Sequence, residues 1–357
     1  LLQQGEQEID ELLEEDDVVP FQYSISTSGI DYPVTALVER MRKGDIVIPR
    51  FQRGFVWSLR DASRFIESLL FGLPVPNIFL SEEPDTQVQL VVDGQQRLTT
   101  LRSFYEGVWP NTQLEFAIKG TGEKGRYEGA SYKSLSTADR RKLDNSTIRA
   151  QVIRQEHPSE DNSSIYHVFE RLNTGGVSLT PQEIRSAIYH GGFNDLLGEL
   201  NKNHLWREIY GPENRLMRDQ ELILRFFAFY FNGANYKPPM KEFLNKFMAG
   251  NRELTLIPEE TLQSLFKETI STVHKAIGRR AFRPSRAINT AVFDSVMVGV
   301  ARRLHAASPP SSEDLNRIYS NLISDEEFLD ITQHSTGHPR NVEQRLQIAT
   351  EAFGNAI

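Results

Sequence analysis

The residues best suited to chemistry stand in Val91-Val92-Asp93-Gly94-Gln95-Gln96-Arg97-Leu98-Thr99-Thr100-Leu101, where an apolar run gives way to a polar turn and then to helical spacing. Leu90, Val91 and Val92 predict a buried strand, and Leu98, Leu101 and Phe104 recur as one face of a helix. A strand-turn-helix corner of this kind presents backbone N–H groups without intrahelical partners, and these attract anions, phosphate above all. Arg97 adds a forked cation within the first turn, shaped to meet two phosphate oxygens at once. A second polar segment, with Arg50, Gln52 and Arg53, also follows a short apolar run, Ile46-Val47-Ile48. The chemistry these residues suit is the holding of a phosphorylated ligand. A purely architectural reading stands beside it: Asp93 caps the helix with Gln96 reciprocating, Gly94 makes the turn, and Arg97 pairs with a carboxylate elsewhere.

Several elements must position these groups. Val34, Leu37, Val38 and Met41 predict a helix over Tyr32 to Arg42, closed by Gly44. Ser58 and Asp61 predict a capped helix start, and Gly72 with Pro74 its end near Phe71. Asn77 to Leu80 and Gln87 to Val92 read as a hairpin whose second strand delivers Asp93 to the corner. A further strand pair is expected around Leu114 to Ile118 and Thr147 to Arg154, with a surface loop at Gly120 to Gly129 and a short helix at Ser136 to Leu143 between them. From Asn162 the pattern turns helical. Thr180-Pro181-Gln182-Glu183 carries a capping Thr, a Pro at the first helical position and a Glu at the third. Further helices are expected at 239–248, 258–277, 287–305, 312–323 and 341–353, and an apolar one through Leu222, Phe226 and Tyr230. This yields an acidic arm or helix over 1–30, a mixed α/β domain over 31–157 and a helical domain over 158–357.

The chain has 357 residues and a formal charge of −8, which the eight carboxylates of residues 1–17 account for, so the remainder is neutral. A neutral body gives no general electrostatic footprint for duplex DNA, and any nucleic-acid contact must come from a local patch. Arg279, Arg280, Arg283 and Arg286, with Arg302 and Arg303 further on, form a second basic cluster; a solvated face is the favoured reading, a DNA-backbone contact the other. The absence of cysteine excludes disulfides and thiolate metal sites. No apolar run reaches membrane-spanning length and the first residues are acidic, so a cytoplasmic location is expected. His334 and His338 read as loop histidines, because the hydrolytic partners of a metal centre do not accompany them.

Three motifs in order give the sequence a likeness: Ile48-Pro49-Arg50-Phe51-Gln52-Arg53-Gly54-Phe55-Val56-Trp57; Asp93-Gly94-Gln95-Gln96-Arg97-Leu98-Thr99-Thr100-Leu101; and Phe169-Glu170-Arg171-Leu172-Asn173-Thr174-Gly175-Gly176 with Leu179-Thr180-Pro181-Gln182-Glu183-Ile184-Arg185. Together they resemble the GmrSD amino-terminal-domain family over roughly residues 30 to 190. The resemblance implies an α+β chain: a ParB/sulfiredoxin-like amino-terminal domain, in which a Gly-x-x-Arg corner binds nucleotide phosphates, followed by an all-helical domain. It implies a nucleoside-triphosphate-binding and hydrolysing protein of a DNA-modification-dependent restriction or anti-phage system, with Mg²⁺ as cofactor. A non-enzymatic DNA- or protein-binding module and a metal-dependent nuclease acting at the Asp93–Arg97 corner are the other readings. The nuclease domain of larger members is not recognisable here, so a separate nuclease subunit and modified DNA are the partners to expect.

On this basis Gly94, Gln95, Gln96 and Arg97 are the phosphate ligands, with Thr99 and Thr100 as hydroxyl donors. Arg50, Gln52 and Arg53 contribute from the first segment, and Asn173 and Thr174 close the site from the third. Asp93, Gln95 and Arg53 are the catalytic candidates. Asp93 either binds Mg²⁺ or caps the helix that carries Arg97. Trp57 either stacks on a base or anchors the core.

Overall fold

The computed structural model describes residues 24–48, 55–83, 86–110, 112, 114–120, 125–157, 163–172, 180–307 and 310–355. The described residues divide into two compact units, one of residues 24–172 together with Ser186–Ile188, the other of Thr180–Arg185 and the residues from Tyr189 on. No helix among the described residues is long and apolar enough to cross a membrane.

The first unit is a mixed five-stranded sheet with helices. Its strands are β1 (Ser24–Pro33), β2 (Ile46–Val47), β3 (Ile78–Glu82), β4 (Gln89–Asp93) and β5 (Thr147–His157), in the order β1-β5-β3-β4-β2. β5 runs antiparallel to β1 and parallel to β3, while β4 runs antiparallel to β3 and parallel to β2. The apolar run Leu90-Val91-Val92 is explained by this placement: β4 has a neighbour on each side, and Gln89 to Val92 are buried on both faces. The helices are α1 (Val34–Lys43), α2 (Leu59–Phe71), α3 (Gln95–Glu106), α4 (Thr137–Asn145) and α5 (Ser163–Leu172). Val34, Leu37 and Val38 of α1, Ile66 and Leu70 of α2, and Leu98, Leu101 and Phe104 of α3 meet Ile78, Leu80, Val91 and Ala150 of the sheet in one core. The local signals act as expected. Ser58 and Asp61 form a reciprocal capping box, and Gly44 and Gly72 end α1 and α2 in the left-handed conformation.

Two elements differ from expectation. The segment through Ile30 that was grouped with the acidic arm contains most of β1, which pairs with β5 from Ser24–His157 to Pro33–Thr147. Leu114 to Ile118 forms no strand among the described residues, where it makes one bridge, Val108 to Glu115. Phe116 and Ile118 are nonetheless fully buried. Alternation reported the burial of those side chains, and burial without a partner strand satisfies the same pattern. Instead the segment folds back on the end of α3, with the Phe116 N–H donating to Gly107 O at 3.1 Å.

The second unit is helical: α6 (Pro181–Ile188, of which residues through Arg185 belong here), α7 (Gly192–Leu200), α8 (His204–Tyr210), α9 (Arg218–Asn232), α10 (Met240–Asn251), α11 (Glu259–Ala276), α12 (Thr290–Ala306), α13 (Ser312–Leu322), α14 (Glu326–Gln333) and α15 (Pro339–Gly354). Every residue from Ala291 to Ala301 of α12 is buried, which makes α12 the central helix of this unit. α15 lies close against it at Gly299, where an added Cβ would sit 2.8 Å from Ala349 O. Three buried ions tie the centre together. Asp294 of α12 accepts from Arg225 of α9 at 3.1 and 2.7 Å and from Arg345 of α15 at 3.3 Å.

Candidate functional site

β4 ends at Asp93, and Gly94 turns the chain into α3 with φ of 103°. An added Cβ there would meet Ile78 Cγ2 at 2.5 Å, so both conformation and space demand glycine. Gly94, the N-cap of α3, brings no side chain to cap the first turn. The N–H groups of that turn therefore lack the oxygen that an N-cap Ser, Thr, Asp or Asn supplies.

Asp93 does not cap. Its carboxylate accepts from Arg97 Nη2 at 2.7 Å, one helical turn away. The other branch, Nη1, donates to Asn77 O at 2.9 Å, just ahead of β3. Arg97 is thus only 11 % exposed and held by two strands, whereas Asp93 is 53 % exposed. The guanidinium is fixed in place and its counter-ion is in water, an arrangement in which an incoming anion competes with a weakly held partner.

Gln96 has a different task from the one expected of a capping residue. Its Oε1 accepts from the backbone N–H groups of Val56 and Trp57, at 3.0 and 3.2 Å. The corner is thereby tied to the end of the first polar segment. Trp57 packs edge-on against Phe65, with ring centroids 5.6 Å apart, and serves the core. Thr99 is half-buried; Thr100 is fully buried, and its hydroxyl has no hydrogen-bond partner among the described residues. Gln95, the first residue of α3, is half-buried at the corner itself. Arg50, Gln52, Arg53, Asn173 and Thr174 lie outside the described residues.

Elsewhere the basic cluster separates into two kinds of arginine. Arg283 donates to the carbonyls of Ile209 and Tyr210 at 2.8 and 3.3 Å, and burial pulls its pKa down; it holds α8 in place. Arg279, Arg280 and Arg286 are exposed. His334 pairs with Asp330 at 3.1 Å on an open surface, and no group of three His, Asp or Glu suited to a metal occurs among the described residues.

Two features escaped sequence reasoning. The carbonyl of Asn77 as an anchor for Arg97 leaves no mark in residue type. The reach of Gln96 to Val56 and Trp57 depends on a contact across 40 residues, for which the only sequence signal is that both segments follow short apolar runs.

A stretch of the chain is 33 % identical, over 106 residues, to an uncharacterized protein of Methanocaldococcus jannaschii, a match spanning 23 % of this chain and 18 % of that protein. A family model described as "GmrSD restriction endonuclease, N-terminal domain" covers the segment from α1 past the end of α6, which contains the Gly94 corner, and residues 34–190 belong to that family.

Proposed function

We propose that the α/β unit binds a nucleoside triphosphate at the β4–α3 corner and hydrolyses it as the control step of a DNA-modification-dependent restriction or anti-phage system. The observation that carries this reading is the start of α3 on a glycine N-cap that admits no side chain, flanked by an Arg97 already held in position. Backbone N–H groups at such a start suit phosphate oxygens, and the guanidinium adds a bidentate charge-assisted contact.

The Asp93–Arg97 pair gives the corner a simple exchange. A triphosphate would compete with Asp93 for Arg97, and Asp93 would then be the carboxylate to hold Mg²⁺, which would supply positive charge against the phosphates; Mg²⁺ commonly binds through one or two carboxylates plus substrate phosphates. Gln95 stands at the first helical position, where it can orient water. Arg50, Gln52, Arg53, Asn173 and Thr174 supply further polar and cationic groups to the phosphates, Arg53 to the charge that develops in transfer.

Thermal unfolding with a panel of nucleoside triphosphates and Mg²⁺ tests the proposal. At a hundredfold excess over Kd, the matching nucleotide stabilises by about 2.7 kcal/mol. Arg97→Ala removes the shift, and Gln95→Ala keeps it while slowing phosphate release. A panel in which no nucleotide raises the unfolding temperature of the wild-type protein refutes the reading.

A further inference from the structure

The helical unit contains a cavity of about 490 Å³, within the range of small-molecule sites. Among the described residues its lining carries four cationic side chains, Arg185, Arg218, Arg225 and Lys241, against a single carboxylate, Glu221. Its position in the fold adds to that sign. Four helices begin at this cavity: α6 at Pro181, α9 at Arg218, α10 at Met240 and α12 at Thr290. Each contributes the positive end of its macrodipole. Only α14 turns its other end to the cavity, through Thr332 and Gln333.

A buried group independently points to a missing acceptor. Arg185 is 1 % exposed; its Nε donates to Gln182 Oε1 at 2.9 Å and its Nη2 to Glu221, but Nη1 makes no hydrogen bond among the described residues. Gln182, fully buried beside it, likewise has no partner for Nε2 among the described residues. Buried donors are ordinarily satisfied, and a guanidinium left short of an acceptor in a cavity wall is a reason to look for a ligand. Arg225, a second wall residue, is held by Asp294 at 2.7 Å, so its cation is fixed in place. The lining also holds Leu216, Met240 and Leu244, apolar side chains of the kind that accept a flat ring.

We propose that this cavity is a second anion site, which takes the phosphates of a nucleotide on Arg185, Arg218 and Lys241 and its base on the apolar wall. It goes beyond the corner at Gly94, because every described residue of its lining belongs to the helical unit. The two sites need not take the same nucleotide, and the second would let a bound nucleotide act on the helical unit directly.

The test is calorimetric titration of the full chain carrying Arg97→Ala, with ATP, GTP, CTP, UTP and inorganic tripolyphosphate as separate probes. Using that background separates this inference from the proposal for the corner, since binding that survives Arg97→Ala belongs elsewhere; Arg97→Lys serves if the alanine variant melts abnormally by circular dichroism. The expected result is one remaining binding event, tighter for at least one nucleotide than for tripolyphosphate. Adding Arg218→Gln and Lys241→Gln, both half-buried at helix starts, should weaken it at least tenfold with the melting curve intact. No binding to the Arg97 variants, or binding unchanged by the double substitution, overturns the proposal. Tripolyphosphate binding as tight as that of every nucleotide overturns the assignment of the apolar wall to a base.

Discussion

The two units handle ionic groups in opposite ways. At the β4–α3 corner one arginine faces one carboxylate, and that carboxylate is half in water. Around α12 an aspartate with no exposed surface serves two arginines that are themselves buried. The first arrangement is cheap to break, since an exposed pair contributes little and exchanges its partners readily. The second is dear to break, because removal of one member strands charge in a place water does not reach. An exchangeable pair suits a site that must give way to ligand. A locked cluster suits the frame around a cavity whose wall residues must not move.

Substitutions on either side should expose that contrast. Asp294→Ala takes from the buried Arg225 and Arg345 the carboxylate they share, and a loss of about 3–5 kcal/mol is expected in denaturant unfolding of the helical unit. Asp93→Asn, by contrast, should cost at most about 1 kcal/mol while lowering Mg²⁺-dependent nucleotide binding. Equal costs for the two would erase the distinction.

A sharper probe of the corner lies in its glycine. Gly94→Ala forces a methyl group against Ile78 and into a backbone region that disfavours it, for an expected loss of about 1–3 kcal/mol in thermal or urea unfolding. Nucleotide stabilisation should disappear with it, because the helix start is displaced. Retention of both stability and nucleotide binding would show that the corner is far softer than its packing implies.

The smallest expected effect concerns acid. Burial pushes the Glu82 carboxyl upward, but hydrogen bonds from Arg154 and Gln89 outweigh it and hold the group below its ordinary value of 4.5. A depressed folded-state pKa means that this contribution is complete above pH 4.5 and is lost as the pH falls through the lowered value. Urea midpoints of wild type and Glu82→Gln should therefore differ at neutral pH and converge in increasingly acidic buffers. A gap that stays constant with pH would remove Glu82 from the acid response.

The elements that sequence alone revealed are those whose signals are local. The Ser58–Asp61 and Thr180–Glu183 boxes name their helix starts because the capping groups sit three residues apart. The corner at Asp93 to Arg97 was equally legible, since strand, glycine and helix follow one another in the chain. β1 was not, for Ser-Ile-Ser-Thr-Ser-Gly-Ile is an edge strand of small polar residues whose partner lies more than a hundred positions away. The cavity was hidden for the same reason: Arg185, Lys241 and Asn289 look unrelated until helices bring them to one wall.

The contacts of Arg345 also set an order of events during synthesis. Asp294 and Arg225 emerge from the ribosome well before α15, and until Arg345 arrives the cluster lacks a member and Gly299 lacks the helix that packs on it. The α/β unit can complete its sheet as soon as β5 is out, because β1 through β4 precede it. The helical unit must wait for nearly its whole length, and until then it exposes the apolar faces that most need protection from other chains.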